Sequence, residues 1–224
     1  MSGSTIVDPI RASHPVKDGG TSPPGDGGDG GGGGGGDGDP PGEGARIPIS
    51  NAKLGMMILL CSLVMLFAGF VTVYTVLRFS SPSWPPPGMP PLPKTLWGTT
   101  GVILLSGVAM AAAVRSARRR QAGALRAALA ATTLLGLLFV AGQLWAWHEF
   151  QEQGVKLGPA YGTVFYTLTG IHAAHVVGGV LMLLFVLVRA LRGRYDEGSV
   201  EGVELVGMYW HFVDAIWIIL FGLL

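Results

Sequence analysis

The chain has 224 residues, of which 49% are hydrophobic and only 13% charged, with a mean hydropathy of +0.47. Soluble domains carry roughly a quarter charged residues, so a water-soluble globular protein throughout is excluded. The net charge of +1 is a sum of −4 over residues 1–46 and +5 over the remainder. No basic block with interleaved aromatics points to a nucleic-acid partner. The single cysteine, Cys61, excludes disulfides and thiolate clusters within the chain.

Residues 1–46 hold 16 of the 36 glycines, 6 of the 15 prolines and 7 of the 14 acidic residues. The stretch from Gly25 to Gly44 offers too little apolar surface to offset the entropy of ordering it. It is expected to be a disordered, Gly/Pro/Asp-rich tail. Near Met1 there is no basic segment followed by an apolar one, so a secretory signal is not expected. From Ala45 through His148 there is no Asp or Glu at all.

Five apolar runs follow within residues 47–224, over about 54–77, 96–114, 125–147, 161–188 and 203–224. At 1.5 Å per residue, about 20 residues cross a hydrocarbon layer of about 30 Å. None of the runs alternates with period two, so a barrel is unsupported and the spans must be helices. The fold class predicted is an all-α, polytopic bundle of five transmembrane helices. Orientation follows from the basic residues. With the N-terminus cytoplasmic, twelve basic residues fall on that side, among them Lys53, the cluster Arg115, Arg118, Arg119, Arg120 and Arg126, and Arg189, Arg192 and Arg194. The other side keeps three, Arg78, Lys94 and Lys156. The C-terminus and the loop beginning Trp84-Pro-Pro-Pro-Gly88 are then expected outside.

Ionisable groups within a span are expensive and each calls for a role. The fourth span carries His172 and His175, and the fifth carries Glu204, His211 and Asp214. Counting from the two ends, His211 lies about 12 Å and Asp214 about 16 Å from one face, and His172 about 16 Å and His175 about 21 Å from the other. The four therefore share a depth and are expected to meet between the last two helices. Glu204, seven residues before His211, faces the same way. Three readings stand beside one another: a hydrogen-bonded seam holding two helices together, haem ligation by histidines, and a proton path. The absence of two symmetric histidine pairs disfavours a dihaem bundle, and no Glu-x-x-His motif supports a carboxylate di-metal site. Gly170, Ala173, Ala174, Gly178 and Gly179, with Gly101 and Gly107, are expected to permit close helix approach. Trp145, Trp147, Tyr161, Tyr166 and Trp217 are expected mostly near the outer interface.

The segment from Gly158 through Thr169-Gly-Ile-His172-Ala-Ala-His175 to Gly179 resembles the signature of subunit III of haem–copper cytochrome c and quinol oxidases. So does Glu204 followed by Met208-Tyr-Trp-His-Phe-Val-Asp214-Ala-Ile-Trp217, and the likeness extends over residues 50–224. The five-span form is similar to the shorter bacterial members. The resemblance implies an accessory subunit without its own redox centre, in a bacterial cytoplasmic membrane. It would lie beside oxidase subunit I, with subunit II and other respiratory-complex subunits as further partners. Haem and copper would reside in those partners, and O₂ reduction with proton pumping would belong to the complex rather than to this chain. It also implies bound phospholipid and support of proton uptake. The positions that match the family, Arg78, His172, His175, Glu204, Trp210, His211 and Asp214, are the candidate lipid-binding or structural polar residues. No catalytic, cofactor-binding or metal-binding residue is assigned. Two positions depart from the family pattern: Leu63 and Ala146 stand where it usually has intramembrane glutamates. The alternatives are the accessory subunit of a nitric oxide reductase and an independent b-type haem carrier.

Overall fold

The computed structural model describes residues 50–195 and 200–224. The expected disordered tail lies outside the described residues. Among these, all regular structure is helical: α1 (Asn51–Ser80), α2 (Thr95–Arg118), α3 (Ala122–Glu152), α4 (Ala160–Leu191) and α5 (Glu201–Leu223). All five are long and apolar enough to cross a membrane. The helices run 23 to 32 residues, or about 35 to 48 Å, longer than the apolar runs. The extra turns carry polar and basic residues beyond the apolar core, which suits helix ends at headgroup level.

The sequence dictates these elements simply. In hydrocarbon a helix satisfies its backbone groups internally, and the Leu, Ala, Val and Met of these segments make no competing local hydrogen bonds. Breaks fall where the chain supplies other chemistry. Ser50 caps α1 by accepting from the Lys53 amide at 3.2 Å. The proline-rich stretch 82–93 separates α1 from α2. The α2–α3 connection is a tight turn in which Arg120 takes a positive φ of 55°.

α2, α3, α4 and α5 close into a ring in which each packs on its two neighbours, and α1 lies outside it against α5 and α4. The difference is visible in burial: α1 buries only Phe67 and Tyr74, whereas thirteen residues of α4 are buried. Lipid is as apolar as leucine, so helix association in a membrane depends on close fit rather than on hydrophobicity. The fit here centres on Trp210, which is fully buried. A Cβ at Gly136 of α3 would lie 2.7 Å from its Cη2, and one at Gly179 of α4 2.9 Å from its Cζ3. Two helices thus lose a side chain each so that one indole can lie between them. Of the other glycines expected to allow approach, Gly107 faces Asp214 closely, whereas Gly101 faces open space.

Candidate functional site

Three sets of polar contacts organise the bundle. The first is a set of uncharged hydrogen bonds between helices, three of them from an indole to a hydroxyl. Trp210 Nε1 donates to Ser106 Oγ at 2.9 Å and Trp217 Nε1 to Thr100 Oγ1 at 3.0 Å, both joining α5 to α2. Trp147 Nε1 donates to Thr169 Oγ1 at 3.1 Å, joining α3 to α4. Tyr209 donates to the His175 carbonyl at 3.1 Å, joining α5 to α4. Charge plays no part in this set. Trp217 is a core residue: its position seven residues after Trp210 puts it on the same inward face two turns further on.

The second set surrounds His172. Its ring is fully buried, stacked on Trp217 with centroids 5.0 Å apart, and met edge-on by Phe139 at 6.1 Å and Phe67 at 6.3 Å. Both its nitrogens lack a hydrogen-bond partner among the described residues, as do both side-chain polar atoms of buried Gln143. His175, one turn on, donates from Nδ1 to the Ile171 carbonyl at 2.8 Å and packs on Phe67 at 5.3 Å. Among the described residues no three His, Cys, Asp or Glu side chains converge to hold a metal.

The third set lies on another side of α5. His211 Nδ1 is 3.9 Å from Asp214 Oδ2, and Asp214 faces Gly107 of α2, where a Cβ would stand 2.6 Å from that oxygen. The single seam expected between α4 and α5 is therefore not present. Depth along the axis brings His172, His175, His211 and Asp214 level, but rotation about it separates them. At about 100° per residue, His211 points about a quarter-turn away from Trp210 and the α3–α4 side. Glu204 lines the same groove as His211. It receives Lys53 of α1 at 2.9 Å and Arg118 of α2 at 2.9 Å, so three helices meet at one carboxylate. At this end Ser50 also donates to Glu201, and Arg126 donates from Nε to the Ala190 carbonyl at 2.9 Å. Tyr195, in the turn beyond α4, lies under Arg189; burial pushes its phenol above the usual range and the arginine opposes that shift.

At the opposite end Arg78 donates to the Leu223 carbonyl at 3.0 Å. Tyr74 donates to the same carbonyl and accepts from Trp84 Nε1 at 3.2 Å. Trp84 in turn packs on Tyr161, with centroids 5.2 Å apart. Arg78 thus closes the negative end of the α5 dipole. Trp210, proposed as lipid-binding or structural, has no surface from which to touch lipid. Glu149, near the same end, accepts from Thr95 at 2.8 Å, and His148 stays at the surface beside Glu152.

The contacts made by Ser106, Thr100, Thr169 and Gly136 are not evident from the sequence. The available signal was a hydroxyl or a missing side chain on one span at the depth of a tryptophan on another.

The fold and these contacts define a class: an all-helical, multi-pass membrane protein with a packed interior. Within that class, a family model described as cytochrome c oxidase subunit III matches residues 42–224. The cytochrome c oxidase subunit 3 of Synechocystis sp. is 36% identical over 169 residues, covering 75% of this chain and 72% of the relative. The probable cytochrome c oxidase subunit 3 of Nocardia farcinica is 34% identical over 172 residues, 76% of this chain and 85% of the relative. The subunit 3 of Petromyzon marinus is 35% identical over 176 residues. The chain belongs to the cytochrome c oxidase subunit III family. It is therefore a subunit of an oxidase complex, and the family resemblance read from the sequence holds.

Proposed function

We propose that this chain is a non-catalytic accessory subunit of a respiratory haem–copper terminal oxidase in a bacterial cytoplasmic membrane. It stabilises subunit I, retains phospholipid and sustains proton uptake, while haem and copper belong to partner subunits. The N-terminus is cytoplasmic and the C-terminus outside. The observation that carries this reading is the family match over residues 42–224. The use of the ionisable groups agrees with it. His172 is packed among aromatic rings, Glu204 is held by two cations, and Arg78 closes a helix end. No carboxylate stands within the first three apolar runs, Glu149 and Glu152 lying only at the end of α3, so this chain's own residues supply no continuous carboxylate relay across the membrane.

Lipid retention draws support from the loose seating of α1. An apolar crevice of ≈ 410 Å³ opens between α1 and α4, walled by Phe70, Val73, Leu77, Val164 and Leu168. A second space of ≈ 450 Å³ near the other end sets Arg189 and Tyr195 above Met56, Met182 and Phe185. The first has the lining of an acyl-chain slot, and the second pairs an apolar wall with Arg189, a cation suited to a phosphate, with Glu201 also in its lining. The test is lipid analysis of the purified complex by native mass spectrometry. Phospholipid should be retained by the parent complex and reduced by Arg189→Ala combined with Val164→Trp. An unchanged lipid count would remove lipid retention at these spaces from the proposal.

A further inference from the structure

Between α2 and α5, outside the ring interior, runs a lateral groove that begins beside Glu204 as a space of ≈ 460 Å³ and continues past Asp214 as one of ≈ 380 Å³. Ala111 and His211 line both parts. Its bed is small: Gly107, Ala111 and Ala215, the two alanines being exposed. Small residues in this arrangement let a helix backbone come close. Its polar groups are placed oddly for a lipid-facing surface. The His211 side chain is 47% exposed, about 15 Å along α5 from Glu201. Asp214 Oδ1 is buried without a hydrogen-bond partner among the described residues. At the end near Glu204, Arg115 also lines the groove, while Glu204 is engaged by Lys53 and Arg118.

Acyl chains offer no hydrogen bond to His211 or Asp214. A second copy of this chain, related by a two-fold axis along the membrane normal, would bring Arg115 and Arg118 against the same pair. Like charges at an interface disfavour that pairing. We infer that the groove between α2 and α5 is the seat of a membrane-spanning helix from a partner oxidase subunit, one that presents a hydrogen-bond donor to the His211–Asp214 pair and a carboxylate to Arg115. The inference rests on the functional reading above and adds to it which face of the chain docks and the chemistry that the partner must bring. Close approach over the alanines gives the fit, and the two polar positions fix the register of one helix against the other.

The experiment uses the purified oxidase complex with the full chain, carrying a photo-crosslinking benzoylphenylalanine at Ala215 or Ala111. Leu138, on the exposed side of α3, serves as control. Irradiation should join positions 215 and 111 to a single transmembrane segment of another subunit, with a carboxylate residue at the Arg115 end, at a yield at least fivefold that at 138. Crosslinks to lipid, to a second copy of this chain, or at the control yield overturn the inference and leave the functional reading standing. A chain that purifies with no oxidase subunit overturns both. Should the probe at 215 and 111 exclude the chain from the complex, two further variants decide. Ala215→Ser should assemble as the parent does, and Ala215→Trp should lower the amount of chain retained at least tenfold; equal retention of the two overturns the inference.

Discussion

His172 carries two ring nitrogens into the centre of the bundle and pairs neither among the described residues. What it does make is a stack with Trp217 and edge contacts with Phe139 and Phe67. An unsatisfied buried polar group costs about 1–3 kcal/mol, so the side chain is retained here at some cost, and its ring rather than its nitrogens does the packing. His172→Phe should therefore leave the purified complex as stable as the parent or more so, measured by its thermal melting. A fall of several degrees would mean that the nitrogens carry a contact the stacking does not. Gly136 and Gly179 behave in the opposite way. Each lies within 3 Å of the Trp210 ring once a Cβ is added, and overfilled cores lose about 1–3 kcal/mol. Gly179→Val should lower the melting point of the complex. Combining it with Trp210→Phe, which removes the clashing ring atoms, should recover part of the loss. At this scale the sequence showed which residues lie deep but not which way they point. His172 and His211 sit at matching depth, yet one faces aromatic rings and the other a groove beside α2. The azimuth depends on which helix packs where, and no single span encodes that.

Among the elements, α1 and α5 show how a helix outside the ring is held. α1 buries two residues, and its fixed points are its ends. Lys53 reaches Glu204 at one end, and Tyr74 and Arg78 reach the Leu223 carbonyl at the other. Glu204→Gln should release both Lys53 and Arg118. The Lys53 and Arg118 side chains are 40% and 65% exposed, and ion pairs in such settings are worth about 0–1 kcal/mol. The expected loss is about 1 kcal/mol, reduced at high ionic strength. A double-mutant cycle with Lys53→Met, read by unfolding of the complex, should show a coupling of that order; zero coupling would remove the pair as a tether of α1. Gly107→Val should push α2 from α5 through Asp214, and the spacing between spin labels placed at the ends of these two helices should increase. The five spans were legible because runs of about 20 apolar residues permit nothing but helices in lipid. Their ends were not, since the last turns of α1 and α3 are polar and continue past the hydrocarbon. The bonds between them were hidden because Trp210 with Ser106 and Trp217 with Thr100 use side chains that occur equally well at interfaces and in loops.

For the whole molecule, the proposed accessory role predicts that the oxidase complex keeps its chemistry without this chain but not its endurance. The ionisable groups of α4 and α5 are used in packing, ion pairs and a lateral groove, and none of the first three apolar runs, about 54–77, 96–114 and 125–147, holds a carboxylate. On the proposed function, such a subunit would act on proton uptake through the surface it covers and the lipid it retains. The direct measurement is O₂ consumption over successive turnovers by the purified complex with and without this chain, with haem and copper content matched. The depleted complex should show a substantial initial rate, followed by inactivation during turnover that is steeper at alkaline pH, and should recover endurance when the chain is added back. Immediate and complete loss of O₂ reduction, with haem and copper fully present, would contradict the accessory role and place this chain within the catalytic machinery.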